Sequence, residues 1–212
     1  AAIALRTSEM MTASQRSATQ VRLLHKISDR IQAADDLEDI FHMVLTGVTA
    51  DFGLGFNCAA ILLLEGEDLV GRIGVGHFDQ TQAREDWLSD VQLAQNEFAR
   101  YYTRLKRGEF REKRTPLDQA VRGLHLPIPD GGLFSEVINS RRLIQVDDPQ
   151  REHLPEVFYA AYRPAFPLVI VPLLSRERVI GLLVADNRFT RDPVTEELRG
   201  SLRGFADTAA LA

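Results

Sequence analysis

Two apolar runs dominate the last quarter of the chain. Phe166 to Leu174 and Val179 to Asp186 are apolar at nearly every position, and they flank the polar stretch Ser175-Arg176-Glu177-Arg178. Short runs rich in Val, Ile and Leu around a charged loop predict a β-hairpin rather than a helix. Neither run has a polar face, so both sides of the hairpin are expected to be covered. Beyond Asn187 the period changes. Leu198, Leu202, Phe205, Ala209 and Ala212 fall at helical spacing and predict a terminal helix. Thr195, just ahead of Glu196 and Glu197, suits its start, where acids meet the positive end of the helix dipole.

The N-terminal part reads less sharply. Met10, Ser14, Ser17, Val21, Leu24, Ser28 and Ile31 fit a heptad, but the serines on that seam argue against an autonomous coiled coil. Residues 1–34 are therefore either a signalling helix continuing from an upstream module or an ordinary amphipathic first helix. Asp35-Asp36 can cap the next helix, whose stripe is Leu37, Ile40, Phe41, Val44, Leu45, Val48 and Phe52. Gly53 and Gly55 end it. His42 lies off the stripe and is expected to face solvent. Phe56 to Leu64 and Leu69 to Val75, joined through Glu65-Gly66-Glu67-Asp68, predict a second hairpin. Cys58 falls in its first strand and reads as a small buried apolar side chain.

The middle is more irregular. Trp87, Val91, Ala94, Phe98, Tyr101 and Leu105 form a helical stripe that Gly108 can end. A basic cluster follows: Arg100, Arg104, Lys106, Arg107, Arg111, Lys113 and Arg114, diluted by Glu109 and Glu112. A solvated helix end explains it better than an anion site does. Thr115 to Gly132, rich in Pro and Gly, reads as a loop with one helical turn at Leu117 to Val121. Leu133, Phe134, Val137 and Ile138 predict a short helix ending near Asn139-Ser140. Leu143 to Val146 predicts a brief strand, Asp147-Asp148-Pro149 a turn, and Leu154, Val157, Phe158 and Ala161 another short helix closed by Pro164.

Three groups of residues carry a family resemblance. They are Val171-Pro172-Leu173, the run Val179-Ile180-Gly181-Leu182-Leu183-Val184-Ala185-Asp186-Asn187, and Phe205-Ala206 with Ala209-Ala210. Gly74-Val75-Gly76 and the Asp-Asp-Pro turn fall in step with them. The pattern resembles a GAF domain over residues 35–212, with a helical insertion at about 82–129. The resemblance implies an α+β fold: a central antiparallel sheet of five or six strands, terminal helices on one face, and short helices and loops closing a pocket on the other. Residues 131–163 are then the pocket wall. Phe134, Ser135, Asp147, Asp148, His153, Phe158, Tyr159 and Tyr162 are the ligand-binding candidates. Each also has a plain structural reading as core or turn, and Asp147 could cap the helix after it.

Composition narrows the chemistry. The 212 residues are 45% hydrophobic and 26% charged, with a formal net charge of -5. That suits a soluble core-forming chain and argues against a dedicated nucleic-acid binder. No apolar run reaches the roughly 20 residues that span a bilayer, so no membrane contact is expected and the chain reads as cytoplasmic. The start without Met and the end inside a helical pattern read as a fragment of a longer protein. The single cysteine allows neither an internal disulfide nor a multi-thiolate metal site. The five histidines are scattered, and only His125 and His153 could reach a haem in the pocket.

The resemblance implies further tests. Cyclic-nucleotide members carry an Asn-Lys, Phe, Asp-Glu pattern late in the domain, whereas here Asn187-Arg188 leads into Phe189-Thr190-Arg191-Asp192-Pro193. Covalent bilin attachment needs a pocket cysteine, and residues 131–163 hold none. Free methionine sulfoxide reductases of this type use a resolving thiol, which a lone cysteine cannot supply. No nucleophile elbow, P-loop or dinucleotide fingerprint occurs. The expectation is a non-catalytic sensory domain with no metal and no assigned cofactor, from a signal-transduction protein such as a sensor histidine kinase. It would form a homodimer through its terminal helices and feed a downstream domain in the same chain. The alternative is a ligand-free dimerisation or relay module. An open chamber favours the sensor, and a side-chain-filled one the relay.

Overall fold

The computed structural model describes residues 36–50, 53–83, 114–128, 132–148 and 154–211. The heptad of residues 1–34, the aromatic stripe from Trp87 to Leu105, most of the basic cluster and His153 lie outside the described residues.

Six strands form one sheet: β1 (Cys58–Glu65), β2 (Asp68–Gly76), β3 (His125–Pro127), β4 (Ile144–Val146), β5 (Leu168–Ser175) and β6 (Arg178–Asp186). Their order is β3-β2-β1-β6-β5-β4, and every neighbouring pair is antiparallel. Both sequence-predicted hairpins are present, β1–β2 and β5–β6, and their first and last strands pair at the centre. Each hairpin turns on two residues, because Glu65 pairs with Asp68 and Ser175 with Arg178. The polar stretch at 175–178 is thus half strand. Arg176 and Glu177 both take left-handed backbone (φ 47 and 69), the geometry that follows strand twist in a two-residue turn.

The central strands bury both faces, and alternation divides their side chains into two cores. Ala59, Ile61, Val169, Val171, Leu173, Leu183 and Ala185 face one way. There they meet α1 (Leu37–Thr49) and α5 (Glu196–Ala210), through Phe41, Val44, Leu45, Val48, Leu202 and Phe205. Asp36 caps α1 by accepting from Glu38 N at 2.9 Å. Thr195 caps α5 by accepting from Leu198 N at 3.2 Å. Cys58, Ala60, Leu62, Leu168, Ile170, Leu182 and Val184 face the other way. They are covered by α2 (Pro116–Arg122), α3 (Leu133–Ser140) and α4 (Glu156–Tyr162).

Two expectations are corrected. The helical turn expected at Leu117 to Val121 is present and slightly longer, but the loop expected after it contains a strand. Pro116 opens α2 behind the Thr115 cap, and β3 follows, pairing with β2 over His125, Leu126 and Pro127. Only Leu126 of β3 is buried, so an edge strand this short leaves no apolar run to detect. His125 is exposed on that edge, with Nε2 3.5 Å from Asp68. The second correction is His42, which is half-buried rather than solvent-facing. Burial pushes its pKa down from 6.5 to about 4, against the opposing pull of Asp118. The apolar stripe of α1 meets the sheet, while His42 sits in the field of α2.

The docking of α2 has a specific cause. β2 carries one extra residue opposite the Ile61/Leu62 step, and Gly71 and Gly74 lie on either side of it. A side chain at Gly71 would place Cβ 1.8 Å from the Val121 carbonyl oxygen. The helix therefore rests directly on the strand backbone. Gly71 N donates to Leu124 O at 3.0 Å, and Gly74 N donates to Asp118 Oδ1 at 3.0 Å. Arg122 then links Asp118 to Glu38 of α1.

Candidate functional site

Helices α3 and α4 form a lid over β1, β5 and β6. Leu133, Phe134, Val137, Phe158 and Tyr162 face the sheet, whereas Val157, expected on the apolar face of α4, is exposed because the helix buries only its Phe158 and Tyr162 side. Phe134 packs edge-on against Phe158, with ring centroids 5.2 Å apart at 85°. Phe158 stacks on Tyr162 at 5.1 Å and 14°. Their exposures are 4%, 0% and 0%. The space between lid and sheet, where the resemblance implies a ligand, is thus occupied by these three rings and their aliphatic neighbours.

The remaining candidates scatter. Ser135 is buried and accepts from Asn139 Nδ2 at 3.1 Å, within its own helix. Tyr159 is half-buried, 6.4 Å from the Phe166 ring. Asp147 and Asp148 are exposed just past β4, so neither points into the chamber. Asp147 accepts from Gln145 Nε2 at 2.7 Å. It does not cap α4, whose N-cap is Pro155. β4 is an edge strand, so both acids leave the sheet at its rim.

The sequence reading missed a buried polar cluster at the end of β6. Asp186 is fully buried. Its Oδ2 accepts from Ala165 N at 3.2 Å and from Arg188 Nη2 at 3.3 Å, and its Oδ1 accepts from Arg188 N at 3.0 Å. Arg188 Nη2 also donates to Tyr162 O at 2.9 Å. This arginine therefore ties the last strand to the end of α4. Its guanidinium carbon lies 5.5 Å from the Tyr162 ring centroid and 5.4 Å from that of Phe78. Burial raises the Asp186 pKa, and Arg188 opposes the shift. The Tyr162 hydroxyl is buried without a hydrogen bond. Burial and then the Asp186 charge hold its pKa well above 10, although the carboxylate does not meet hydrogen-bond geometry with it. Cys58 is pushed to about 12, by burial first and Asp186 second, and its Sγ donates to His77 O at 3.3 Å. The Asp-Asn-Arg sequence was the visible signal, but it reads as part of the strand pattern until the fold closes around it.

Next to this cluster lies an open cleft of about 450 Å³. Phe78, Phe166 and Phe189 supply its apolar lining, and Arg163, Arg188 and Arg191 its charge. Asn57 braces the loop that carries Phe189. Its Oδ1 accepts from Phe189 N at 2.7 Å and Thr190 N at 3.0 Å, which fixes the loop after β6. Among the described residues no group of His, Cys, Asp and Glu is placed to hold a metal ion.

The family model for the GAF domain matches residues 34–212. The chain belongs to the GAF family. Solved structures share the fold at low identity. A methyl-accepting chemotaxis protein, residues 122 to 287, matches with a TM-score of 0.59 and 22% identity, covering 87% of this chain and 93% of that one. A phycocyanobilin-bound GAF domain from a cyanobacterial phytochrome gives 0.58 and 18%, covering 91% and 92%. The fRMsr of Staphylococcus aureus in its reduced form gives 0.53 and 15%, covering 91% and 95%. At these identities the likeness is one of fold. No curated protein matches the chain. The GAF assignment accounts for the order of hairpins, lid and end helices, and among the described residues no helix is long and apolar enough to cross a membrane.

Proposed function

We propose that this GAF domain is a regulatory module of a signal-transduction protein and works as a relay. Movement of the α3–α4 lid would be passed through the shared sheet to α1 and α5. The observation that carries this reading is the filled chamber: Phe134, Phe158 and Tyr162 occupy the space a deep ligand would need. A packed lid has discrete arrangements, so it suits switching between two packings. The Arg188 bond to the α4 carbonyl gives the lid a second, polar attachment to the sheet.

The output is proposed to pass through a homodimer to a domain in the same chain. Leu37, at the start of α1, and Leu211, just past α5, are large apolar side chains left 43% and 77% exposed, which supports contact there. A cytoplasmic sensor histidine kinase is the proposed context, on the likeness of the Asp186-Asn187 to Ala209-Ala210 ending to those that feed kinase helices. Thiol catalysis is disfavoured. With its pKa near 12, Cys58 carries almost no thiolate at neutral pH, and the thiolate is the nucleophile.

Native and denaturing mass spectrometry of the dialysed chain tests the relay. The expected result is a dimer of twice the denatured mass. A monomer, or a dimer holding a tightly retained extra mass, overturns it.

A further inference from the structure

We propose that the cleft beside Arg188 binds a small aromatic carboxylate, with the anion held by Arg163 and Arg191 and the ring seated among Phe78, Phe166 and Phe189. The proposal goes beyond the relay reading by giving it an input, and it needs neither a dimer nor a kinase.

The first observation is charge. In a chain of net charge -5, three arginines from two separate loops line one cleft. Arg188 is neutralised by Asp186. Arg163 and Arg191 have no acidic partner among the described residues. Arg163 instead lies over the Phe78 ring, 4.7 Å from its centroid. Glu156 and Asp192 are their nearest acids in sequence, and neither lines the cleft. Among the described residues the cleft therefore carries two cations outside any ion pair.

The second observation is backbone. Arg163 and Arg191 both sit in the left-handed region, at φ 53 and 57. Glycine or asparagine is the relaxed choice at such positions. Arg141 and Arg176 take the same backbone elsewhere in the chain, and at Arg163 and Arg191 it brings two guanidiniums to the lining of one cleft. A planar guanidinium fork matches a carboxylate with paired hydrogen bonds.

The third is size and lining. Small-molecule sites run from about 300 to 1,000 Å³, mostly apolar with a few convergent polar groups. A cleft of about 450 Å³ lies in that size range, and its three arginines make it more polar than such sites usually are, which suits a charged aromatic ligand over a neutral one. A simple inorganic anion would leave the rings unused, and a neutral aromatic would leave the cations unpaired. The floor is Arg188, which also holds the last carbonyl of α4. A ligand that pulls on this guanidinium is thus one bond from the lid.

The test is a protein-observed NMR titration of the 212-residue chain with benzoate, using benzyl alcohol and acetate as controls. Benzoate is expected to saturate with a Kd on the order of a millimolar, as suits so small a ligand, and to shift resonances of residues 163–166 and 188–191. Both controls are expected to bind about tenfold more weakly or worse. The double variant Arg163→Asn, Arg191→Asn keeps residues that accept the left-handed turn, so its Tm should hold while benzoate affinity falls about tenfold or more. Benzoate binding no tighter than either control overturns the proposal. So does full affinity in the double variant, which would place the ligand elsewhere, or loss of affinity together with a lowered Tm that Arg163→Lys, Arg191→Lys fails to restore. The oligomeric state plays no part in this readout, so its failure and that of the relay are separable.

Discussion

His42 is where a single side chain departs most from its sequence reading. It lies outside the apolar stripe of α1, yet burial holds its pKa near 4. The ring is densely surrounded although part of the residue reaches solvent, so the free energy drawn from the shift is an upper bound. Between pH 4 and 6.5 the unfolded chain binds a proton at this histidine that the folded protein does not. Stability should therefore be full above pH 6.5 and fall as the pH drops toward 4, by up to about 3 kcal/mol. Urea unfolding at a series of pH values measures this, and His42→Gln should remove about one proton's worth of the slope. An unchanged slope would locate the acid sensitivity in other groups. Helical period showed that His42 misses the sheet. It carried no information that α2, some 75 residues later in the chain, would bring Asp118 and Arg122 beside it.

Element length separates what could be read early from what could not. Long apolar runs and a broad helical stripe are strong signals because many positions agree. Hence β1, β2, β5, β6, α1 and α5 all lie close to where the pattern predicts them. Short α2 and β3 rest on tertiary contact. Gly71 and Gly74 weaken β2 as a strand, and in a bare sequence they read as breaks in alternation. In the fold they are the surface on which α2 lies. Gly71→Ala should push α2 off the strand, since the new Cβ would fall 1.8 Å from a backbone oxygen that no rotamer can move. A loss of about 1 to 3 kcal/mol is expected from chemical denaturation. Faster hydrogen exchange should appear in 116–127 before the central strands. A stability within error of the parent would mean α2 is only loosely held.

At the scale of the molecule, one sheet serves two cores. Alternate residues of β1, β5 and β6 contribute to both, so neither face can lose its helices without exposing the back of the other. Phe205→Ala on the α5 side and Phe158→Ala on the lid side should each lower stability by about 3 to 5 kcal/mol. Both should shift a single unfolding transition in which near- and far-UV circular dichroism coincide. Separate transitions in the Phe158 variant would mean the lid melts alone, which would also weaken the relay.

The sequence by itself determined the class of the domain, its two hairpins and its end helices, because period and run length are local properties that the chain displays in order. It also placed Cys58 in a strand and Phe134, Phe158 and Tyr162 in the lid. Tertiary structure alone decided that those three aromatics fill the chamber. It also decided that Asp147 and Asp148 leave the sheet at its rim, that Asp186 and Arg188 form a buried pair, and that Arg163 and Arg191 line one cleft. Each of these depends on which segments meet at the end of a sheet, and on how much water is left there once they do. Burial, and with it every shift in charge, is set by neighbours that are distant in the chain.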